Sequence, residues 1–290
     1  MKKILILGAQ GRLGQELLYS LEEKFEVIPL SRFNVDLKNF EETQLLLSQM
    51  EFDCIINTAA VCETPKNLNT KQEQEIFKIN TAAAINIATY AQEAGILLIH
   101  ISCALVLAGS KEKSEQALRK PVDIIGQSKA EAETHIEELY KNSKSPLYIL
   151  RLGLLFGNYG HSLVNNILRL LKKNKKIQSV NDVYYSLSST SLAASEIGKI
   201  LALKSHEKGV TLKHICYNGK ANPTDIAKYL AELQNKSVEI KSISIKDTEE
   251  KPADYSLTST EDYGDWKEGL SKFLSLSSRT KRSEDPGSVN

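Results

Sequence analysis

The sequence predicts an α/β protein built on a doubly wound parallel sheet, with a second, smaller α/β region toward its C-terminal half. Three observations carry that reading. Short apolar runs alternate with helix-period segments through residue 153, a glycine-rich turn joins the first run to the first helix, and the alternation loosens after residue 155. At 290 residues the chain amounts to roughly two ordinary domains. Apolar residues make up 41% and charged residues 25%, which supplies a sizeable core and excludes global disorder. Lys and Arg number 37 against 36 Asp and Glu, a difference of +1, so electrostatic binding of nucleic acid or anionic lipid is not expected as the main activity.

The elements follow in order. Residues 3–8 (KILILG) read as a buried strand, and Leu13, Leu17, Leu18 and Leu21 give 14–23 a helical face. A strand at 26–30, a helix at 40–50 and a strand at 54–57 come next. The stretch 74–93 is helical and stops at Gly95; 97–102 (LLIHIS) is a core strand, 128–141 a charged helix and 147–153 (LYILRLG) another strand. A helix at 162–173 ends in Lys172-Lys173-Asn174-Lys175-Lys176, cations that suit a solvated helix C-terminus. An amphipathic helix spans 224–234, and 275–290 has so little to bury that it reads as a disordered tail.

No apolar run approaches the ~18–20 residues of a membrane span. Lys2-Lys3 followed by four apolar residues is too short for a signal peptide, whose apolar region needs about 7–15. Cys54, Cys62, Cys103 and Cys216 are scattered, with neither a C-x-x-C pair nor a histidine cluster, so neither zinc nor a disulfide framework is expected. A reducing, cytoplasmic setting fits, with no metal, no nucleic acid and no membrane partner.

Gly8-Ala9-Gln10-Gly11-Arg12-Leu13-Gly14 is a G-x-x-G-x-x-G loop in the strand-to-helix position. The first glycine permits a tight turn, the second a close approach of backbone to a pyrophosphate, and the third close packing of helix on strand. The helix start then offers free N–H groups to phosphate. At the end of the second strand, where an acid would bind a ribose diol, stands Ser31-Arg32. A guanidinium suits a 2′-phosphate, so NADP(H) is preferred and NAD(H) is the alternative.

The loop GAQGRLGQEL, Ile55-Ile56-Asn57-Thr58-Ala59-Ala60 and His100-Ile101-Ser102 together resemble the extended short-chain dehydrogenases/reductases, and more narrowly the dTDP-4-dehydrorhamnose reductase family. The resemblance runs nearly end to end. Asp36-Leu37 is similar to that family's adenine-side acid, and Asn80 with Asn86 to its N-x-x-x-x-x-N helix. Leu150-Arg151 with Phe156-Gly157 is similar to its L-R strand, and Lys251-Pro252-Ala253 and Asp265-Trp266-Lys267-Glu268-Gly269-Leu270 to its C-terminal elements. The resemblance implies a Rossmann domain over 1–156 plus about 186–210, and a smaller substrate domain over about 157–185 plus 211–274. It also implies a nucleotide-sugar substrate of surface-polysaccharide synthesis. Cofactor contacts are implied at Gly8, Gln10, Gly11, Arg12, Leu13, Gly14, Arg32, Asp36, Leu37, Ala59, Ala60 and Lys129. A homodimer is plausible on base rates.

Reduction of a carbonyl by hydride needs a proton donor at the oxygen. The family supplies a tyrosine four residues before a lysine, on one helix face. Here Lys129 is in place, but the tyrosine position is Ile125. The family's S-T-D-Y-V-F-D-G strand end reads Ser102-Cys103-Ala104-Leu105-Val106-Leu107-Ala108-Gly109, in which a thiol, a weak donor, replaces threonine. Its D-D-Q-x-G-S-P-T loop corresponds roughly to 181–188, without the Gln, Gly and Pro. The candidate catalytic set therefore shrinks to Lys129, Ser102 and Cys103. Either another donor serves (Tyr159, Tyr184, Tyr185 or a water on Ser102) or the chain keeps a cofactor platform without ordinary reductase chemistry. In the second case it would bind or regulate a protein partner, as the regulatory β subunit of methionine adenosyltransferase does on this fold. His100 reads as a structural core histidine, His161 as a cleft-side loop residue, and Glu131 and Glu133 as solvated.

Overall fold

The computed structural model describes residues 1–64, 67–111, 113–245 and 253–283. Its centre is a six-stranded sheet in the order β2-β1-β3-β4-β5-β10, formed by β1 (Lys3–Leu7), β2 (Glu26–Leu30), β3 (Cys54–Asn57), β4 (Leu97–Cys103), β5 (Pro146–Leu152) and β10 (Gly209–Ile215). Every pairing in it is parallel. β1, β3, β4 and β5 are buried almost throughout, which is why they read as continuous apolar runs rather than alternations. One face packs α1 (Arg12–Leu21) and α7 (Thr190–Ala202) through Leu13, Leu17, Leu21, Ala193, Ile197 and Ile200. The other packs α2 (Phe40–Ser48), α4 (Ala84–Glu93) and α5 (Ile124–Tyr140) through Leu47, Ile87, Ala91, Ile136 and Tyr140.

A second core gathers Phe156, Val164, Ile167, Leu171, Ile226, Leu230, Trp266 and Leu270. These come from α6 (Leu163–Lys172), α8 (Pro223–Leu233), α9 (Trp266–Ser283) and two-stranded pairs made by β6 (Leu154–Phe156) with β9 (Leu187–Ser189) and β7 (Ile177–Val180) with β11 (Ile240–Ile243). A third pair joins β8 (Tyr184–Tyr185) to β12 (Asp254–Tyr255).

Three features differ from the sequence reading. The central sheet extends to Ile215, beyond the boundary at 210, because β10 pairs with β5 along its whole length as a half-buried edge strand. α9 continues to Ser283, past the tail start at 275; residues 284–290 of that tail lie outside the described residues, as do Lys251 and Pro252 of the C-terminal motif. The segment read as one helix over 74–93 begins at α3 (Thr70–Phe77), capped reciprocally by Asn69 and Gln72, and passes through a π-helical turn, Lys78–Ala83, before α4.

Candidate dinucleotide and substrate site

The strand order reverses between β1 and β3, and at that switch point an open parallel sheet forms its ligand crevice, outside the carboxyl ends of the strands. The glycine loop lies there. Gly8 sits at φ +82° with its N–H and that of Ala9 bonded to Leu30 O, both at 3.0 Å, and Gly11 N–H closes the turn on Gly8 O at 2.9 Å. A Cβ on Gly14 would lie 2.4 Å from Gly8 O, and one on Gly8 would lie 2.7 Å from Ala59 N. Both positions thus exclude a side chain. Gly11 caps α1 without a side-chain hydrogen bond, which leaves the first-turn N–H groups to an anion.

The other sequence-derived cofactor residues take distinct places. Gln10 O accepts from Gln15 Nε2 at 2.8 Å, and Leu13 is core. Arg12 crosses to the second region, Nη1 donating to Leu155 O at 3.2 Å. At the end of β2, Arg32 is exposed and stacks over Phe33 at 5.4 Å, while Asn34 Oδ1 takes the Ser31 N–H and hydroxyl. Asp36 is exposed and faces Lys38 at 3.7 Å; Leu37 packs on the core. Ala59 and Ala60 are half-buried beyond β3, with Ala59 N–H held by Asn57 Oδ1 at 3.1 Å.

The candidate catalytic positions meet between β4 and α5. α5 starts at Ile124, earlier than the sequence suggested, because Asp123 caps it through Gly126 N–H at 2.8 Å. Ile125 and Lys129 therefore lie one turn apart on the same helix, 3% and 5% exposed. Lys129 Nζ donates to Ile101 O at 3.2 Å. The π-helical turn aims Asn80 at this helix: its amide bonds both the N–H and the carbonyl of Val61 and donates to Ser128 Oγ at 3.0 Å, while Thr81 Oγ1 donates to Ser128 O. The loop after β3 and the lysine helix are thus stapled together.

The strand end that follows Cys103 is apolar. Ala104, Val106 and Leu107 pack with Ala117, Ala130, Cys216 and Leu257 in a cluster of their own. Burial pushes the Cys103 thiol up to about 12, so it stays protonated at neutral pH. His100 is 1% exposed; burial first, then the Lys129 charge, lower its pKa to about 3. Its imidazole is neutral, with Nδ1 facing Asn57 Nδ2 at 3.4 Å. Of the alternative donors, Tyr159 is raised by burial and by Glu16, Tyr19 and Glu22, which places it beside α1. Tyr184 lies under Lys220 Nζ at 5.0 Å, and Tyr185 stacks on Tyr255 at 5.4 Å. His161 is exposed ahead of α6.

Glu133 corrects the sequence reading: it is fully buried, whereas Glu131 is exposed as expected. Its carboxylate takes Arg151 Nη2 at 2.7 Å and Arg119 Nε at 2.6 Å. Burial would raise its pKa, but the Arg151 hydrogen bond and charge and the Arg119 charge outweigh that and bring it to about 2. Arg151 Nη1 reaches His214 Nε2 at 3.3 Å, and His214 Nδ1 donates to Thr258 O at 2.9 Å. A signal for this network was present in the sequence: an arginine inside the core strand LYILRLG requires a buried anion, and Glu133 is on the helix that covers it.

Among the described residues no group of His, Cys, Asp or Glu is placed to hold a metal ion, and no helix is long and apolar enough to cross a membrane. The doubly wound sheet, the side-chain-free glycine loop at its switch point and the lysine on α5 define a dinucleotide-binding α/β protein of the short-chain dehydrogenase/reductase type. Residues 1–271 match the RmlD substrate binding domain, and the chain belongs to that family. It is 27% identical to the spore coat polysaccharide biosynthesis protein SpsK of Bacillus subtilis (strain 168), over 94% of this chain and 97% of that one. It is 30% identical to a dTDP-4-dehydrorhamnose reductase of Aggregatibacter actinomycetemcomitans, over 63% of this chain but only 61% of that relative's length. The crystal structure of dTDP-4-dehydrorhamnose reductase from Bacillus anthracis str. Ames in complex with NADP superposes with a TM-score of 0.85 at 24% identity, covering 95% of this chain and 99% of that one.

Proposed function

We propose that this chain is an NADP(H)-binding, dTDP-4-dehydrorhamnose reductase-like protein of nucleotide-sugar metabolism whose reductase chemistry is impaired or altered. Support for the cofactor comes from the loop geometry at Gly8, Gly11 and Gly14, from the exposed guanidinium of Arg32 and from the NADP complex of the similar Bacillus anthracis enzyme. Gly11 and the α1 N-terminus would hold the pyrophosphate, Arg32 the 2′-phosphate, and Lys129 the nicotinamide ribose. A bound NADPH supplies a hydride; this chain must supply the proton.

The observation that carries the reading is Ile125. It is buried at the position one turn before Lys129, and an aliphatic side chain there can neither donate a proton nor steady an alkoxide. The thiol of Cys103, held up at about 12, is a poor substitute. Purified protein mixed with NADPH and a dTDP-4-keto-6-deoxysugar, followed at the nicotinamide absorbance, should turn over at least ~10²-fold more slowly than a tyrosine-bearing family member assayed in parallel. Equal rates would refute the impairment; no oxidation above a blank at high protein concentration would leave only the cofactor platform.

That platform favours a second reading, a non-catalytic NADP(H)-binding regulatory or scaffold subunit for a protein partner. The cofactor loop keeps every glycine its geometry demands, while the strand end beside Lys129 has become a hydrophobic cluster. Tight NADPH binding by fluorescence transfer without turnover on any keto sugar supports it, and failure to bind a dinucleotide removes it.

A further inference from the structure

Alternation along β4 turns Leu98, His100 and Ser102 toward the face that α5 covers, and Leu97 and Ile99 toward α1 and α7. His100 is 1% exposed, and its Nε2 has no hydrogen-bond partner among the described residues. Its tautomer follows from its neighbour on β3. Asn57 Oδ1 accepts the Ala59 N–H at 3.1 Å, which turns Nδ2, a donor, toward His100 Nδ1 at 3.4 Å. Nδ1 therefore accepts, and Nε2 carries the proton. Burial first and the Lys129 charge second hold the ring neutral, with a pKa of about 3. One N–H is thus left unspent in the interior, where such donors are rarely tolerated.

The acceptors in this layer are already committed. Glu133 Oε1 takes Arg151 Nε at 3.1 Å, and Oε2 takes Arg151 Nη2 at 2.7 Å and Arg119 Nε at 2.6 Å. The Ser102 hydroxyl is drawn to the same carboxylate. Lys129 enters the layer from α5. Its Nζ donates to Ile101 O, the carbonyl next along the strand from His100, at 3.2 Å. That contact uses one N–H of an ammonium that is only 5% exposed and has others to place. An imidazole N–H and an ammonium cannot satisfy each other, because both are donors. A water, with two lone pairs, completes both.

We propose that an internal water binds between β4 and α5, accepting from His100 Nε2–H and from Lys129 Nζ, and that His100 is through it a positioning residue for Lys129. A line of contacts then starts at the glycine turn, where a Cβ on Gly8 would lie 2.7 Å from Ala59 N. It runs through Ala59 and Asn57 to His100, the water and Lys129. One imidazole thereby sets both the loop after β3 and the lysine of α5, the two flanks of the dinucleotide. The effect on the cofactor rests on the NADP(H) reading; the water does not.

The full chain carrying isotope-labelled histidine is examined by NMR, alone and saturated with NADPH. A slowly exchanging His100 Nε2–H with a nuclear Overhauser cross-peak to bound water is expected in both states. NADPH affinity is then measured by fluorescence on two variants. His100→Gln keeps an N–H near the Nε2 position and should bind within about 2-fold of the unaltered chain, whereas His100→Asn keeps only the acceptor facing Asn57 and should bind at least about 10-fold more weakly. A histidine that only filled space or served Asn57 would rank the two variants the other way. An Nδ1–H tautomer, or an Nε2–H without the water cross-peak, would overturn the site. Equal affinities of the two folded variants would overturn the positioning role. Failure of the unaltered chain to bind NADPH would remove the NADP(H) reading and that role with it, while the cross-peak still decides the water.

Discussion

Ile125 and Cys103 concentrate the chemistry at the smallest scale. Ile125 sits on α5 with its side chain in the protein interior, so a tyrosine there would add a ring and a hydroxyl to an occupied space and cost about 1–3 kcal/mol of stability. It would also place a phenol one turn before Lys129. The pair Ile125→Tyr with Cys103→Thr restores both proton-handling positions, and NADPH-dependent keto-sugar reduction by the double variant should rise about 10²–10⁴-fold. A flat result with NADPH binding intact would show that the substrate pocket, and not the proton, is what changed. Sequence comparison with the family pattern exposed these two residues because a lost functional group is visible in the residue type alone. Glu133 was hidden for the opposite reason. A carboxylate on a charged helix looks solvated until the partner that buries it, Arg151 on the neighbouring strand, is considered with it.

Elements were legible where one physical rule acted locally. The buried strands announced themselves as apolar runs and the cofactor loop as glycine spacing, since a Cβ at Gly14 would strike Gly8 O. Gly14→Ala should therefore weaken NADPH binding at least about 10-fold, the equivalent of about 1.4 kcal/mol, in a fluorescence titration. The edge strand β10 and the short pairs β6–β9, β7–β11 and β8–β12 were not legible. Strands of two to seven residues carry little period, and their pairing partners lie far along the chain. The π-helical turn was equally silent, because its purpose is to redirect one side chain, Asn80, toward Val61 and Ser128. Asn80→Ala removes three hydrogen bonds and strands the Val61 amide and carbonyl. A loss of about 2–3 kcal/mol in urea denaturation is expected, together with weaker NADPH binding as the loop after β3 loosens. Unchanged stability would mean that the staple is ornamental.

The whole molecule is tied across its two cores by buried charge. Arg119, Glu133, Arg151 and His214 run from the β4–α5 connection through α5 and β5 to β10, and the chain ends on Thr258 in the C-terminal region. Removing one member leaves another unpaired in the interior, so Glu133→Gln should cost about 3–5 kcal/mol of stability. The same groups dictate the response to acid. Glu133 has a folded-state pKa near 2 against an ordinary 4.5, so its stabilisation is complete above pH 4.5 and is lost as pH falls toward 2. His100 is held at about 3 against an ordinary 6.5, so the unfolded chain takes up its proton first and stability already declines below pH 6.5; His214, lowered chiefly by burial, acts in the same direction. Urea midpoints should therefore fall in two stages, gently from pH 6.5 to 4.5 and more steeply below. His100→Asn should make the decline shallower throughout pH 6.5 to 3, whereas Glu133→Gln should change it only below pH 4.5. A single sigmoidal loss centred near pH 4, unchanged by either substitution, would place the acid sensitivity in surface carboxylates instead of the buried network.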